Sequence, residues 1–194
     1  MLAYTFWHWK APEVSRELYE KALIEFQKSL AAAAPDGFQG SMVVRLNGAP
    51  WTGTATEAYE ETYLLKGSYA MDILETAAVS AQCKATHDQA ARMAAGGCAG
   101  LYRLRLGTEN ISPMRMAAWF AKPAGTTYDE LYRLITQRVD SSQVSLFGRQ
   151  MVLGPTPEFC LLAPNKVDLP ENFNPIWLPR EVLWPTNSNR SAKL

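Results

Sequence analysis

The sequence predicts an α+β protein: a βαββαβ unit followed by a shortened βαββ repeat, with antiparallel sheets and helices on one face. Three observations predict it. Short aromatic or alternating runs bounded by Gly, Pro and Asn recur along the chain and read as strands. Between them lie segments whose apolar residues return at helical spacing. Words near residue 10 also reappear near residue 122: Trp9-Lys10-Ala11-Pro12 followed by Glu17-Leu18-Tyr19 matches Phe120-Ala121-Lys122-Pro123 followed by Glu130-Leu131-Tyr132.

Ala3 to Lys10 is rich in strand formers and ends before Pro12, giving the first strand. Acids at Glu13 and Glu17 suit a helix N-terminus, and Val14, Leu18, Ala22, Phe26 and Leu30 form one apolar stripe up to about Ala34. Pro35-Asp36-Gly37 stops that helix. Phe38 to Leu46 is a second strand with Asn47-Gly48 as its turn, and a polar loop leads to a third, Tyr59 to Leu65. Ser68 to about Ala95 is Ala-rich and helical, with a break near Ser80 and a stop at Gly96-Gly97. Cys98 to Leu106 is the fourth strand. The order β-α-β-β-α-β is that of the split-βαβ, ferredoxin-like arrangement. Another α+β sandwich is the alternative, because sequence order does not fix strand order in space.

The pattern then restarts. Met114 to Ala121 is a strand, Thr126-Thr127 offers N-caps for a helix marked by Tyr128, Leu131, Tyr132, Ile135 and Val139, and two strands follow at Val144 to Leu153 and Glu158 to Ala163. This second unit lacks a last helix and strand. The expected division is residues 1–108, 109–164 and a Pro-rich tail, 165–194. With Pro170, Pro175, Pro179 and Pro185, the tail is expected to wrap the surface as extended chain and to lose order near Ser188.

Composition narrows the function classes. The 194 residues carry 19 basic and 19 acidic side chains, so the basic excess of a nucleic-acid binder is missing. No stretch approaches the roughly 18 apolar residues of a membrane span. The N-terminus has no basic region or cleavage site of a signal peptide. Three cysteines without a CxxC pair (Cys83, Cys98, Cys160) point to a reduced, cytoplasmic protein. P-loop, GxGxxG, GxSxG and HExxH motifs are absent, leaving nucleotide-dependent and serine-hydrolase chemistry without footing.

The aromatic first strand, the Tyr59-Glu60-Glu61-Thr62-Tyr63 third strand and a helix carrying His87 resemble the dimeric α/β-barrel superfamily. That superfamily includes cofactor-independent antibiotic-biosynthesis-type monooxygenases, haem-degrading monooxygenases, stress-responsive barrel proteins and chlorite-dismutase-like enzymes. The resemblance covers residues 1 to 163 and implies two ferredoxin-like units packed sheet against sheet, within one chain or through a homodimer. It also implies comparison of His87 with a helix histidine that ligates haem, although the accompanying Asn and Trp are not matched. No motif requires a cofactor or a metal.

The residues that could carry chemistry are few. His8 shares a strand face with Tyr4 and Phe6, and Glu61 with Tyr59 and Tyr63; strands one and three are central neighbours in this fold. His8, Glu61, Tyr63 and His87 are the candidate acids and bases, with Trp7, Trp9 and Tyr59 as candidate pocket walls. Arg45, Arg103 and Arg105 are the cations available to Glu61. Two classes stay open: a small-molecule enzyme of the cofactor-independent monooxygenase type, or a non-catalytic ligand-binding or interaction module. A cavity joining strands one and three to the second helix favours the first; a filled interface favours the second.

Overall fold

The computed structural model describes residues 1–151 and 154–186. The first unit runs β1 (Leu2–Lys10), α1 (Arg16–Ala33), β2 (Phe38–Leu46), β3 (Ala58–Leu65), α2 (Tyr69–Ala78), α3 (Lys84–Met93) and β4 (Ala94–Gly107). The second runs β5 (Met116–Phe120), α4 (Tyr128–Thr136), β6 (Ser145–Arg149) and β7 (Phe159–Ala163), followed by β8 (Ile176–Pro179) and β9 (Glu181–Trp184). Strand order is β8-β5-β7-β6-β4-β1-β3-β2-β9, with every pair antiparallel. Within it β4-β1-β3-β2 is the ferredoxin-like order predicted for the first unit.

Local chemistry sets the helix limits. Ser15 accepts a hydrogen bond from the Leu18 amide, so α1 begins at Arg16, with Glu17 in its first turn and Glu13 just before it. It ends where Ala34 turns left-handed and returns its N–H to Leu30. Thr127 caps α4 in a reciprocal box with Glu130. The Ala-rich segment divides into α2 and α3 around Ser80, as expected.

Two expectations need correction. Gly96-Gly97 does not stop a helix; the chain is already extended at Ala94, and both glycines lie in β4 opposite Trp9 and His8. Their lack of a side chain has a packing reason. A Cβ on Gly96 would come within 2.7 Å of the Trp9 ring, and one on Gly97 within 2.6 Å of the Phe6 ring.

The tail is the second correction. It does more than wrap the surface, because β8 pairs with β5 and β9 pairs with β2. The second unit therefore has a fourth strand in the order β8-β5-β7-β6, matching β4-β1-β3-β2 with β8 in the place of β4. The prolines sit where ladder donors are dispensable: Pro175 precedes β8, Pro179 is its last residue and Pro185 follows β9. Residues 176–184 form an almost unbroken extended run between the two outer edges, so the sheet nearly closes into a barrel. The chain thus builds its sheet-against-sheet pairing internally and needs no second copy to supply a strand. The loss of order expected near Ser188 falls outside the described residues.

The barrel interior is filled. Trp7, Trp51, Tyr102 and Trp119 meet edge to face at centroid distances of 5.0–6.0 Å, with Met42, Val44, Phe147 and Leu162 around them. The outer faces differ between the units. On the second, Leu169 and Phe173 pack beside α4 against Phe120 and Phe159, where the first unit has α2 and α3. On the first, α1, α2 and α3 leave space above β1 and β3.

Candidate functional site

Strand alternation sends Trp7 into the barrel and Tyr4, Phe6 and His8 to the outer face, toward the helices. On β3 it sends Glu60 inward and Glu61 and Tyr63 outward. His8 stands opposite Tyr59, and Phe6 opposite Glu61, so the two central strands gather their polar residues in one place. Above them lies a cleft of about 490 Å³, floored by β1 and β3 and walled by Leu23, Phe26 and Leu30 of α1, Met71 and Leu74 of α2, and Ala90, Ala91 and His87 of α3.

The floor is a connected polar chain. Tyr63 donates a hydrogen bond to Glu61 Oε2 and accepts one from Gln27 Nε2 at 3.2 Å. With Gln27 supplying the donor on that side, the phenolic proton is directed to the carboxylate. Burial pushes the Tyr63 hydroxyl well above its ordinary pKa, and the Glu61 charge adds to the effect, so Tyr63 stays protonated. His8 Nδ1 lies 2.6 Å from the Tyr19 hydroxyl, whose pKa burial also raises. A phenol that keeps its proton donates to Nδ1, which leaves the hydrogen of His8 on Nε2. That Nε2 faces Glu61 Oε1 across 3.7 Å, and neither atom has a hydrogen-bond partner among the described residues. His8 is 1% exposed and Glu61 4%. Two buried polar atoms are thus held open side by side on the cleft floor, each costing about 1–3 kcal/mol unless something bridges them.

His8, Glu61, Tyr63 and His87 all line the cleft. His87 contributes from the wall, half-exposed, with Nδ1 3.2 Å from Asp88 and its ring edge-on to Phe26. The three residues expected as pocket walls do not line it. Trp7 is inside the barrel, donating to Glu60 at 2.9 Å. Trp9 lies over Gly96. Tyr59 supports His8 from the side, rings stacked at 5.8 Å, and directs its hydroxyl to Glu20 and Glu57. The arginines expected near Glu61 are engaged elsewhere: Arg45 with Glu20 and Glu181, Arg103 and Arg105 with Gln150.

Sequence reasoning missed Tyr19 and Gln27, both on α1. Gln27 had a detectable signal, being an amide on the same stripe as Leu23 and Leu30, the buried face of an amphipathic helix. Among the described residues no group of three or more His, Cys, Asp or Glu is arranged to hold a metal ion, and no helix is long and apolar enough to cross a membrane.

No protein-family model matches the chain, and no curated protein matches it. Solved structures do. A candidate monooxygenase from Fusobacterium nucleatum superposes with a TM-score of 0.59 over 96% of this chain and 94% of its own, at 10% identity. An anthrone oxidase-like protein gives 0.56 over 100% and 96%, at 12% identity. The chain has the dimeric α/β-barrel fold. At such identities the likeness is one of architecture, and the α/β-barrel supplies a scaffold on which the chemistry must be argued from this chain's own residues.

Proposed function

We propose that the cleft of this α/β-barrel is the active site of a cofactor-independent monooxygenase acting on an aromatic carbon acid. The observation that carries the reading is the open pair, His8 Nε2 and Glu61 Oε1, buried and 3.7 Å apart on the cleft floor. Aromatic and aliphatic walls suit a flat aromatic substrate, and the pair supplies one donor and one acceptor to a group placed above it. The names of the two structural neighbours agree with this reading.

In the proposed reaction Glu61 Oε1 takes a proton from an activated CH₂ while the His8 Nε2–H stabilises the enolate oxygen. Tyr63 and Gln27 hold the carboxylate in place. The carbanion passes one electron to dioxygen, and the resulting radical pair joins to form a C–O bond. The peroxide anion recovers the proton from Glu61. Loss of the second C–H proton with cleavage of the O–O bond leaves a carbonyl and water, so that R₂CH₂ + O₂ gives R₂CO + H₂O.

Haem is the cofactor the resemblance brings to mind. His8 and His87 are the imidazoles that could meet an iron. However, the lining contains the carboxylates Glu61, Asp72 and Glu75 and no Lys or Arg, so haem propionates would find no cation. The only open nitrogen of His8 already faces a carboxylate. These residues do not fit a haem, and no step passes through one.

Oxygen consumption with anthrone as probe tests the proposal. Glu61→Gln keeps the shape and the Tyr63 contact but removes the base, and it should lower turnover by at least about 100-fold with little loss of binding. Unchanged turnover would eliminate Glu61 as the base. Binding of anthrone without oxygen consumption by the unsubstituted protein would favour the ligand-binding alternative.

A further inference from the structure

We propose that the cleft selects an aromatic ligand carrying a positive charge, with the ring body over the aromatic floor and the cation between Asp72 and Glu75 at the mouth. This deepens the reading of the cleft as a ligand site and rests on that reading, but it does not depend on the oxygen chemistry.

The formal charges of the lining have one sign. The chain as a whole is balanced at 19 basic and 19 acidic residues, yet the charged residues lining the cleft are Glu61, Asp72 and Glu75, without one Lys or Arg. Asp72 and Glu75 are three residues apart on α2 and therefore neighbours on its surface, an unfavourable pairing of like charges. Neither carboxylate has an ion pair or hydrogen bond among the described residues. Elsewhere on the surface Glu20, Glu25, Glu57, Asp88, Asp168 and Glu181 are each bridged by Lys or Arg. Other surface acids, such as Glu109, Asp129 and Glu171, also have no Lys or Arg partner among the described residues, but Asp72 and Glu75 are the ones that line the cleft.

Glu61 adds negative charge independently of that pair. Glu61 Oε1 is buried, unpartnered and directed to the same cleft, so an anionic ligand would meet a fixed negative charge at the floor as well as at the mouth. Tyr4 links the two levels: burial raises its hydroxyl pKa, and the charges of Glu61 and Glu75 both push it further. Tyr4, Phe6 and Phe26 present ring surfaces along this path, which attract a cation in addition to packing on an apolar ring.

Calorimetric titration at pH 7 with three naphthalene probes tests the proposal: 1-naphthylmethylamine (protonated), 1-naphthalenemethanol (neutral) and 1-naphthoate (anionic). The amine should bind about ten-fold more tightly than the alcohol, and the naphthoate most weakly. In the double variant Asp72→Asn/Glu75→Gln, both sites exposed and remote from the core, the amine should fall to within about two-fold of the alcohol, whose affinity should not change. Equal binding of amine and alcohol to the unsubstituted protein overturns the proposal, as does tighter binding of naphthoate or a preference that survives the double variant. Failure of the oxygen reaction leaves these titrations unaffected; failure of all three probes to bind overturns the charge-selection proposal, while the anthrone assay decides the oxygen chemistry.

Discussion

The His8–Glu61 arrangement depends on the side chains that hold its two members in place. Tyr19 fixes the His8 tautomer, Tyr59 stacks against its ring, and Tyr63 with Gln27 orients the carboxylate. Three of these four are phenols that must remain protonated, and burial raises the pKa of each. The sign of the consequence follows directly. A group whose folded pKa lies above its unfolded value binds its proton more tightly in the folded state; its contribution is complete below the unfolded pKa and is lost as pH rises beyond it. Stability to urea should therefore begin to fall at about pH 8.5, where the thiols of Cys98 and Cys160, also raised by burial, ionise in the unfolded chain, and fall more steeply above about pH 10, by up to about 1.4 kcal/mol per pH unit for each buried phenol. Tyr63→Phe should flatten that fall by one tyrosine's share; an unaltered slope would mean that Tyr63 ionises in the folded protein. The sequence displayed His8, Glu61 and Tyr63 because strand alternation assigns each a face from position alone. It could not reveal Tyr19 as the partner of His8, since their meeting depends on where α1 crosses the sheet.

At the level of elements, the first hundred residues were legible because their signals agree: aromatic alternation in β1, the four-residue stripe in α1, the break at Ser80. Where one signal had two physical readings, the sequence reading went wrong. Gly96-Gly97 after an Ala-rich helix looks like a stop, yet each glycine admits an aromatic ring across the strand pair. Prolines in the tail look incompatible with a sheet, yet they flank or end its edge strands. The glycine reading has a measurable consequence at the site. In Gly97→Ala the new Cβ would fall 2.6 Å from the Phe6 ring and 2.8 Å from the Trp7 carbonyl. The carbonyl cannot swing aside, so Phe6 must move toward the cleft it lines. The variant should lose about 1–3 kcal/mol of stability and bind naphthyl probes more weakly. Gly154→Ala, whose nearest neighbour is 3.6 Å away, should stay within about 0.5 kcal/mol and serves as control. If both variants unfold at the same urea concentration, packing against Phe6 is not the reason Gly97 is there.

At the scale of the whole molecule, a contact that spans 120 residues ties the closing segment to the barrel interior. Arg180 lies between β8 and β9, the segment that joins the outer edges of the two units, and its side chain enters the barrel rather than solvent. There it donates to Glu60 Oε1 at 2.7 Å and to the Met114 carbonyl at 3.1 Å, while Glu60 Oε2 takes the Trp7 indole hydrogen. Neither partner was visible as such in the sequence: Arg180 follows a proline in a segment read as surface chain, and Glu60 is one of two adjacent acids of which the other faces the cleft. A buried ion pair contributes little net stability over an apolar pair, but removing one partner strands a charge in the interior. Arg180→Met should therefore cost about 3–5 kcal/mol in urea unfolding and speed amide exchange in β9 and the β2 edge that it covers. Arg180→Met with Glu60→Gln should recover part of that loss, because the glutamine carries no charge and its carbonyl can still accept from Trp7. The cleft lies on the opposite face of β3, so the double variant should also keep its affinity for naphthyl probes. A single variant as stable as the parent would show that the pair does not clasp the barrel. A double variant less stable than the single one would show that Glu60 is needed for something other than Arg180.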